Sequence, residues 1–463
     1  GTLDGKTCLV IGNGSMGRLA ASLLVQYGCR VFMTLRSYHH GETVIPFGVQ
    51  PVPYEQRFLQ MEAAEIVISA TRSPHHTITK KQLEALSRKP VWILDLAMPR
   101  DVEADCGTVE GVTLWNLDDL HSSTAPDETA LAALRQIAEQ YTDTFQMWRN
   151  YRDAVPYMQQ LKGEGIWFEN FFANSFRTDR GEVAILSGFP AQTRMSIMKL
   201  PAKSRNLPSV ARSLAGEGYK TSFAYGGDLN FTNQASYMYA TGWQELIWQK
   251  DLRFDAPAAD WGYDDALMCD WFADRVIALS ESREPFLAGL LTLSSHTPFD
   301  VPYAKFDDRV LNAMAFSDDC VGKMIDRLKA SPAWENLLVV LVADHGYPYP
   351  RTLAYNEPLR HRIPMIWTGG AVARPRVVED YASQIDIAAT LLAQLGVPHD
   401  DFDYSKDIFA PTPPRKFAYY AFNDGFGVVD ASGEAVWDAT GGRAVTETNP
   451  ELLDVGRTML QTT

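Results

Sequence analysis

The sequence predicts an α/β protein with two modules, a doubly wound parallel sheet at the N-terminus and a larger α/β domain at the C-terminus. In residues 1–120, short apolar runs alternate with helical patterns, as in a parallel sheet covered by helices. An apolar stripe at three- and four-residue steps then predicts a long helix. A second series of apolar strands and helices follows it. The predicted domains are therefore 1–120, a helical linker at 121–162, and 163–463.

Composition excludes several classes of protein. The chain has 463 residues and a net charge of −15, from 57 acidic and 42 basic side chains. No long basic run offsets this charge, so we expect no direct binding to nucleic acid or to an anionic membrane surface. No apolar run approaches the ~18 residues of a membrane span. The chain as given is therefore expected to be soluble and cytoplasmic.

Five buried strands and one crossover helix are predicted in the first module. The helix covers residues 15–27 and places Leu19, Leu23 and Leu24 on one face. The strands are expected at residues 6–11, 30–35, 65–70, 91–97 and 112–115.

A glycine-rich stretch, Gly12-Asn13-Gly14-Ser15-Met16-Gly17, joins the first strand to this helix. A GxGxxG stretch in that position is typical of a Rossmann-like dinucleotide fold. Gly12 would form the tight turn, Gly14 would let the backbone approach a pyrophosphate, and Gly17 would let helix and strand pack closely. The helix N-terminus favours the phosphate charge. These residues are predicted to bind a dinucleotide, with a purely structural turn as the alternative.

The end of the second strand indicates which dinucleotide is bound. An NAD site usually carries an acidic residue there, which binds the ribose hydroxyls. This strand instead ends in Thr34-Leu35-Arg36-Ser37. Because a guanidinium and a hydroxyl can bind a 2′-phosphate, Arg36 and Ser37 favour NADP over NAD. The alternative is that Arg36 is a solvated surface residue.

Four further stretches accompany the glycine motif, at residues 69–71, 95–101, 116–120 and 148–152. Together they resemble glutamyl-tRNA reductase, which uses NADPH to reduce the glutamate carried on tRNA in tetrapyrrole (porphyrin) biosynthesis. The resemblance implies an NADPH-binding domain that includes Thr71, followed by the start of dimerisation helices. The family's catalytic domain precedes its nucleotide domain, so reductase activity is not expected from this chain alone. The stripe at 128–160 indicates a homodimer contact or packing on the second module.

In the second module, a hydroxyl lies at a predicted helix start. Thr178 begins a helical pattern, and Arg180 follows two residues later. A nucleophile at a helix N-terminus gains from the helix dipole, which stabilises a phosphorylated intermediate. Thr178 is therefore a candidate nucleophile and Arg180 a candidate catalytic cation. The alternative is that Thr178 only caps the helix.

Two strands of this module, both expected to be buried, end in polar side chains. The strand at 337–343 is followed by Asp344 and His345, and the strand at 285–293 is followed by His296. Metal ligands commonly lie at such strand ends, where side chains converge. A carboxylate and an imidazole suit Mn²⁺ or Zn²⁺ better than Ca²⁺. The pattern predicts a divalent cation, with Mn²⁺ favoured over Zn²⁺ or Mg²⁺.

A second resemblance is carried by motifs at residues 176–181, 226–231, 261–262, 294–299 and 344–346. Residues 165–440 resemble the sulfatase/alkaline phosphatase superfamily, and within it the lipoteichoic acid synthase branch, which transfers phosphoglycerol. This implies that Thr178 is both nucleophile and metal ligand, and that Asp344 and His345 are ligands. His296 would contact the substrate or protonate the leaving group. The head group of a lipid or other small phosphoester would lie near Gly227, Asp228, Asn230 and Trp261.

Two departures from the family pattern limit these expectations. Sulfatases carry Cys or Ser in a CxPxR-type motif, whereas this chain carries Thr178 followed by Asp179, so sulfate-ester hydrolysis is not expected. The family's first strand supplies an acidic metal ligand, and here neither Glu164 nor Glu169 follows a predicted buried strand. Because this acidic ligand is missing, metal affinity is expected to be weak or absent.

The sequence therefore favours a two-module chain that combines an NADPH-binding domain with a phosphoester or phosphoglycerol transferase domain. Each is expected to lack N-terminal catalytic elements, as in a fusion. One alternative is an active metal-dependent phosphodiester or phosphonate hydrolase with Thr178 as nucleophile, and another is a non-catalytic dinucleotide-binding scaffold. Whether the chain is an enzyme stays open. The second module's relatives are extracellular and membrane-tethered, unlike the cytoplasmic reductases.

Overall fold

The computed structural model describes residues 3–35, 45–71, 73, 75–97, 100–116, 153–256, 258–259, 261–349, 353–413 and 415–462. The chain divides into two compact units, Gly1–Arg149 and Asn150–Thr463. Arg36, Ser37 and most of the predicted linker helix lie outside the described residues. The predicted domain boundaries after residues 120 and 162 stay a prediction.

The first unit is built on one parallel sheet. Its strands are β1 (Thr7–Ile11), β2 (Arg30–Leu35), β3 (Val49–Pro53), β4 (Ile66–Ser69), β5 (Trp92–Asp95) and β6 (Thr113–Asn116). They are connected by helices that include α1 (Ser15–Gln26), α2 (Arg57–Ala63) and α3 (Lys80–Glu84). The strand order is β3-β2-β1-β4-β5-β6, with every pairing parallel. The predicted doubly wound parallel sheet is confirmed.

Both faces of this sheet are covered, which explains its continuous apolar runs. Along β1, Cys8 and Val10 pack in the hydrophobic cluster that includes α1, whereas Leu9 and Ile11 pack in the cluster that includes α2 and α3. A strand buried on both faces has no polar alternation. The strand β3 was not predicted, because its sequence Val-Gln-Pro-Val-Pro contains two prolines. It lies at the sheet edge, where residues without an N–H group are tolerated.

The second unit contains several sheets. Its strands are β7 (Ile166–Phe168), β8 (Phe171–Phe172), β9 (Lys220–Tyr225), β10 (Glu245–Ile247), β11 (Phe286–Leu291), β12 (Val339–Val342), β13 (Met365–Thr368), β14 (Arg376–Val378), β15 (Ala382–Ser383), β16 (Ala418–Phe422), β17 (Gly425–Asp430), β18 (Gly433–Asp438) and β19 (Arg443–Glu447). Their orders are β10-β9-β11, β12-β13-β7-β14, β15-β8 and β16-β17-β18-β19. The first of these sheets is parallel and the last is antiparallel.

The helices of the second unit are α4 (Pro156–Glu164), α5 (Thr178–Ser187), α6 (Pro201–Ser204), α7 (Val210–Gly216), α8 (Gln234–Ala240), α9 (Asp265–Glu281), α10 (Arg309–Lys329), α11 (Ile387–Gln394) and α12 (Pro450–Thr462). The helix α4 contains the described end of the predicted linker, and it packs on this unit. The Asp318 carboxylate accepts hydrogen bonds from the N–H groups of Tyr157 and Met158, each at 2.9 Å. In the described part of the chain, no helix combines the length and hydropathy of a membrane span.

The expectation that β11 and β12 are buried strands was wrong. Every residue of both strands is partly exposed. By contrast, β9 is buried over five of its six residues, and β13 is buried throughout. The physical reason is that β11 and β12 each lie at the edge of their sheet, although their sequences are as apolar as those of central strands.

Candidate functional site

The glycine-rich loop lies at the carboxyl end of β1, between two neighbouring strands. Gly12 has a φ of 106°, and its N–H donates to Thr34 Oγ1 at 2.9 Å. A Cβ at Gly12 would lie 2.6 Å from the Ala70 carbonyl oxygen, so only glycine fits there. Gly17 is equally constrained, because its Cβ would overlap the Gly12 carbonyl. Asn13, Ser15 and Met16 complete the loop and begin α1.

The first turn of α1 leaves its N–H groups to a ligand. Gly14 is the N-cap residue and has extended backbone angles. Among the described residues, no side chain caps these N–H groups. Unpaired N–H groups at a helix N-terminus bind phosphate readily. The loop therefore has the backbone geometry of a pyrophosphate site.

A buried carboxylate holds the neighbouring strand end. Asp101 accepts hydrogen bonds from Ser69 Oγ at 2.7 Å and from Thr71 Oγ1 at 2.5 Å, and also from the Thr71 N–H at 2.8 Å. Nearby, Asp95 accepts from the N–H groups of Ala97 and Val102, and burial raises the pKa of its carboxyl to about 6. Thr71 is thus fixed opposite Gly12, and its role in binding the nucleotide stays a prediction.

In the second unit, the structure brings together three predicted site residues from distant parts of the chain. Thr178 is the first residue of α5, and its Oγ1 donates to Asp344 Oδ2 at 2.7 Å. The same carboxylate oxygen lies 3.5 Å from His345 Nε2. Asp344 and His345 follow β12 after one intervening residue. A hydroxyl, a carboxylate and an imidazole therefore meet at a helix N-terminus.

The backbone around Asp344 is held closely against α5. A Cβ at Gly181 would overlap the Asp344 carbonyl oxygen, so the helix and the strand end approach through this glycine. Gln384 Nε2 donates to the carbonyl oxygens of Ala343 and Asp344, at 2.8 and 2.7 Å. Gln384 was not predicted, because nothing in its own sequence neighbourhood indicates a contact 40 residues away.

A buried carboxyl one helical turn after Thr178 was also missed. Glu182 is 4% exposed, and neither of its carboxyl oxygens has a hydrogen-bond partner in the described residues. Burial, and then the nearby carboxylates of Asp344 and Asp179, raise its pKa well above the ordinary value. Burial and the charges of Glu182 and Asp344 also raise the pKa of Tyr225, at the end of β9. The four-residue spacing from Thr178 was the available signal.

The predicted leaving-group and head-group residues lie around the ends of β9 and β11. The rings of His296 and Trp261 have centroids 4.9 Å apart, and both side chains are exposed. Asp228 and Asn230 are exposed in the loop after β9, where Asp228 Oδ1 accepts the Asn230 N–H at 2.9 Å. A Cβ at Gly227 would lie 2.8 Å from the Trp261 carbonyl oxygen. These residues form a polar and aromatic rim.

The Arg180 side chain contacts residues other than Thr178. It is 4% exposed, and its Nη1 lies 3.3 Å from Ser175 Oγ, while its Nη2 donates to the Arg194 carbonyl at 3.1 Å. Its guanidinium also lies over the Phe176 ring. Burial lowers the pKa of this group. These contacts order the chain that precedes α5, and a catalytic role for Arg180 stays a prediction.

The described residues do not form a complete cation site. Thr178, Asp344 and His345 supply a hydroxyl, a carboxylate and an imidazole, but no three His, Cys, Asp or Glu side chains in the described ranges converge to hold a metal ion. Glu169 directly follows β7, a three-residue strand in which only Phe168 is buried. Its carboxylate is paired with Trp167 Nε1 and Arg362, outside this cluster.

Family models match both units of the chain. A model described as Sulfatase matches residues 140–397, and one described as Shikimate / quinate 5-dehydrogenase matches residues 1–123. A probable multifunctional siroheme biosynthesis protein HemA from Ruminiclostridium josui is 39% identical over 153 residues. A glutamyl-tRNA reductase from Alkaliphilus oremlandii is 33% identical over 156 residues. Each alignment covers 33% of this chain, and they cover 30% and 47% of the two relatives, so the chain spans less than half of either.

Solved structures resemble the second unit. A protein of the alkaline phosphatase superfamily from Vibrio parahaemolyticus has a TM-score of 0.59 at 23% identity, covering 67% of this chain and 80% of that one. The lipoteichoic acid synthase LtaP from Listeria monocytogenes has a TM-score of 0.56 at 19% identity, covering 67% and 85%. At such identities the likeness shows the shared fold.

These findings confirm a fusion-like architecture with two modules. The N-terminal module is similar to the nucleotide domain of glutamyl-tRNA reductases, and the C-terminal module has the alkaline phosphatase fold. Because the Sulfatase model matches more than half of the 463 residues, the chain belongs to the sulfatase family.

Proposed function

We propose that the second module cleaves a phosphoester, with Thr178 as the nucleophile. The observation that carries this proposal is the 2.7 Å hydrogen bond from Thr178 Oγ1 to Asp344 Oδ2, at the N-terminus of α5. A hydroxyl is a weak nucleophile unless a neighbouring base accepts its proton. Asp344 is in position to orient the hydroxyl and accept that proton.

The proposed cleavage of the phosphoester uses only residues of this chain. Thr178 Oγ attacks the phosphorus atom, its proton passes to Asp344, and the bond from phosphorus to the leaving oxygen breaks. The N–H groups of the first turn of α5 stabilise the negative charge on the phosphoryl oxygens. His296 donates a proton to the leaving alcohol. Water or a second alcohol then displaces Thr178 from phosphorus, which gives hydrolysis or transfer.

The proposed substrate is a phosphoester with a polar head group, such as phosphoglycerol. The exposed rim of Asp228, Asn230 and Trp261 around His296 supports this choice. The fold is shared with LtaP, a lipoteichoic acid synthase. Since the described residues form an incomplete cation site, we propose weak Mn²⁺ binding at most and assign no step to a metal.

The test is hydrolysis of a p-nitrophenyl phosphodiester by the full chain, with and without Mn²⁺. Turnover that Thr178→Ala abolishes, and that the exposed helical variant Thr458→Ala retains, is the expected result. Turnover that persists in Thr178→Ala would refute the nucleophile. Metal-dependent turnover at full rate would favour the active hydrolase that the sequence left as an alternative.

We propose that the first module binds NADPH, and hence that the chain acts in the cytoplasm, where this nucleotide is kept. The glycine loop, the uncapped first turn of α1 and the likeness to glutamyl-tRNA reductases support this proposal. Titration by fluorescence is expected to show tighter binding of NADPH than of NADH. The variant Arg36→Glu is expected to remove that preference. Equal binding of both nucleotides by the natural chain would contradict the assignment of Arg36.

A further inference from the structure

Two apolar strands of the second module have open edges. The strand β11 ends the sheet β10-β9-β11, and β12 begins the sheet β12-β13-β7-β14. In the described part of the chain, neither has a partner on its outer side. Their sequences, Phe-Leu-Ala-Gly-Leu-Leu and Val-Val-Leu-Val, contain no charged residue to protect the edge. Natural proteins usually cover such edges or place charges and bulges on them.

The two open strands share the same surroundings on one face. Phe286 and Leu290 of β11, and Val339 and Leu341 of β12, pack against one hydrophobic cluster. That cluster is formed largely by α9 and α10, with members such as Phe272 and Phe316. The two strands therefore lie under one layer of helices, although they belong to different sheets.

The other faces of the two strands border two further apolar clusters, to each of which α5 contributes one side chain. Ile185 packs in the cluster that contains Val340 and Val342 of β12. Leu186 packs in the cluster that contains Leu287 of β11. Apolar packing on both faces is typical of the central strands of an α/β sheet, not of its edges.

The segments that follow the two strands also contact each other. Phe299 and Tyr347, in the segments that follow β11 and β12, have ring centroids 5.4 Å apart. The segments that leave the carboxyl ends of the two open strands therefore come together at one place. Within the described residues, the outer N–H and C=O groups of these edges have no hydrogen-bonding partners.

We propose that the space between β11 and β12 is a strand-acceptor site, which binds an extended apolar segment of another polypeptide. The segment would form main-chain hydrogen bonds to both edges, as in other complexes formed by strand addition. It must be apolar on both faces, because apolar clusters cover both faces of its neighbours. A strand of about four to six residues matches the lengths of β12 and β11.

A second copy of the chain is the less suitable occupant. The apolar strands described in the chain are already paired in sheets, so one copy has no described free strand to give to another. Acidic or basic segments are also unsuitable, since charges would be buried between apolar layers without partners. A free apolar segment satisfies both requirements. This inference does not depend on the phosphoester chemistry proposed above.

The test is hydrogen exchange of the full chain with a synthetic peptide. The peptide has a core of about six Val, Leu and Ile residues between lysine flanks. We expect exchange in residues 286–291 and 339–342 to slow by about tenfold or more, with no change in β13. The matched control is the same peptide methylated on every amide nitrogen of its core, which keeps the side chains but cannot form a ladder on either edge. It is expected to give no protection.

Three results would overturn the proposal. One is that both edges already exchange as slowly as β13 in the free chain. Another is that the peptide protects neither edge, or that the methylated peptide protects them equally. The third is protection that rises with protein concentration and accompanies dimers in light scattering, because a second copy would then be the occupant. These exchange and scattering measurements do not depend on phosphodiester turnover, so its loss would not change their interpretation.

Discussion

Three contacts hold Asp344 beside the start of α5. Its carboxylate accepts the Thr178 hydroxyl, its carbonyl oxygen accepts the Gln384 amide, and Gly181 packs directly against its backbone. The first contact involves the hydroxyl that we propose as the nucleophile, whereas the other two fix the position of the Asp344 backbone. Because the position is fixed by backbone groups, it can be tested without altering Thr178 or Asp344.

Gly181→Ala is expected to destabilise the second module by about 1–3 kcal/mol and to lower phosphodiester turnover strongly. The added Cβ would overlap the Asp344 carbonyl oxygen and push the strand end away from α5. Urea unfolding and turnover measure the two effects. The matched control is Gly163→Ala in α4, where a Cβ meets nothing and alanine favours the helix. Unchanged stability in Gly181→Ala would show that this close approach is absent.

Glu182→Gln is expected to change how stability depends on pH. The folded state holds the Glu182 proton, because burial raises the pKa of this carboxyl above its ordinary value of 4.5. The unfolded chain releases that proton near the ordinary value. The stability that comes from the proton is therefore complete below this pH and is lost as pH rises toward the folded pKa.

The glutamine variant has no such proton and should lack this part of the slope. Urea unfolding of both chains over a pH series measures the difference, with the exposed Glu217→Gln as the control. Identical slopes for the natural chain and Glu182→Gln would refute the protonated carboxyl.

Among the secondary-structure elements, α4 depends on a single side chain for its start. The two carboxylate oxygens of Asp318, on α10, accept the N–H groups of Tyr157 and Met158. Asp318→Ala is therefore expected to cost about 1–2 kcal/mol and to speed hydrogen exchange in the first turn of α4. The neighbouring Asp319→Ala is the control, since in the described residues Asp319 pairs with the exposed Lys323 one turn later on α10. Equal effects of the two variants would contradict this role.

The sequence predicts a strand well where burial on both faces is the cause of its apolar run. The strands β1, β2, β4, β5 and β6 are apolar because helices cover both faces of the sheet, and each was predicted within a few residues of its ends. The strand β3 was missed because Pro51 and Pro53 are permitted only by its edge position. The exposure of β11 and β12 was missed because these edge strands have the apolar sequence of central strands. Such a sequence predicts burial.

The candidate site follows the same rule. Thr178, Asp344 and His345 were predicted because each lies at the end of an element with a recognisable pattern, and the structure brings them together. Gln384 and Tyr225 were not predicted, because their contributions depend on contacts between segments far apart in the sequence. Local pattern indicates which residues can react, while long-range pairing decides what surrounds them.

At the scale of the whole molecule, each unit has hydrophobic clusters made only of its own residues. Calorimetry is therefore expected to show two unfolding transitions. NADPH at about 100 times its Kd should stabilise one transition by about 2.7 kcal/mol and leave the other unchanged. The Thr178→Ala variant should keep both transitions and the NADPH shift. A single transition that shifts as a whole would contradict independent units.

The open strands β11 and β12 also bear on how a cell would treat this chain. Folding intermediates are recognised by exposed apolar segments and unpaired strand edges, and those features draw them to chaperones or into aggregates. Here the same features persist in the folded molecule. We therefore expect cellular quality control to handle the native chain as it handles an unfinished one, with a half-life set by how often those two edges are occupied.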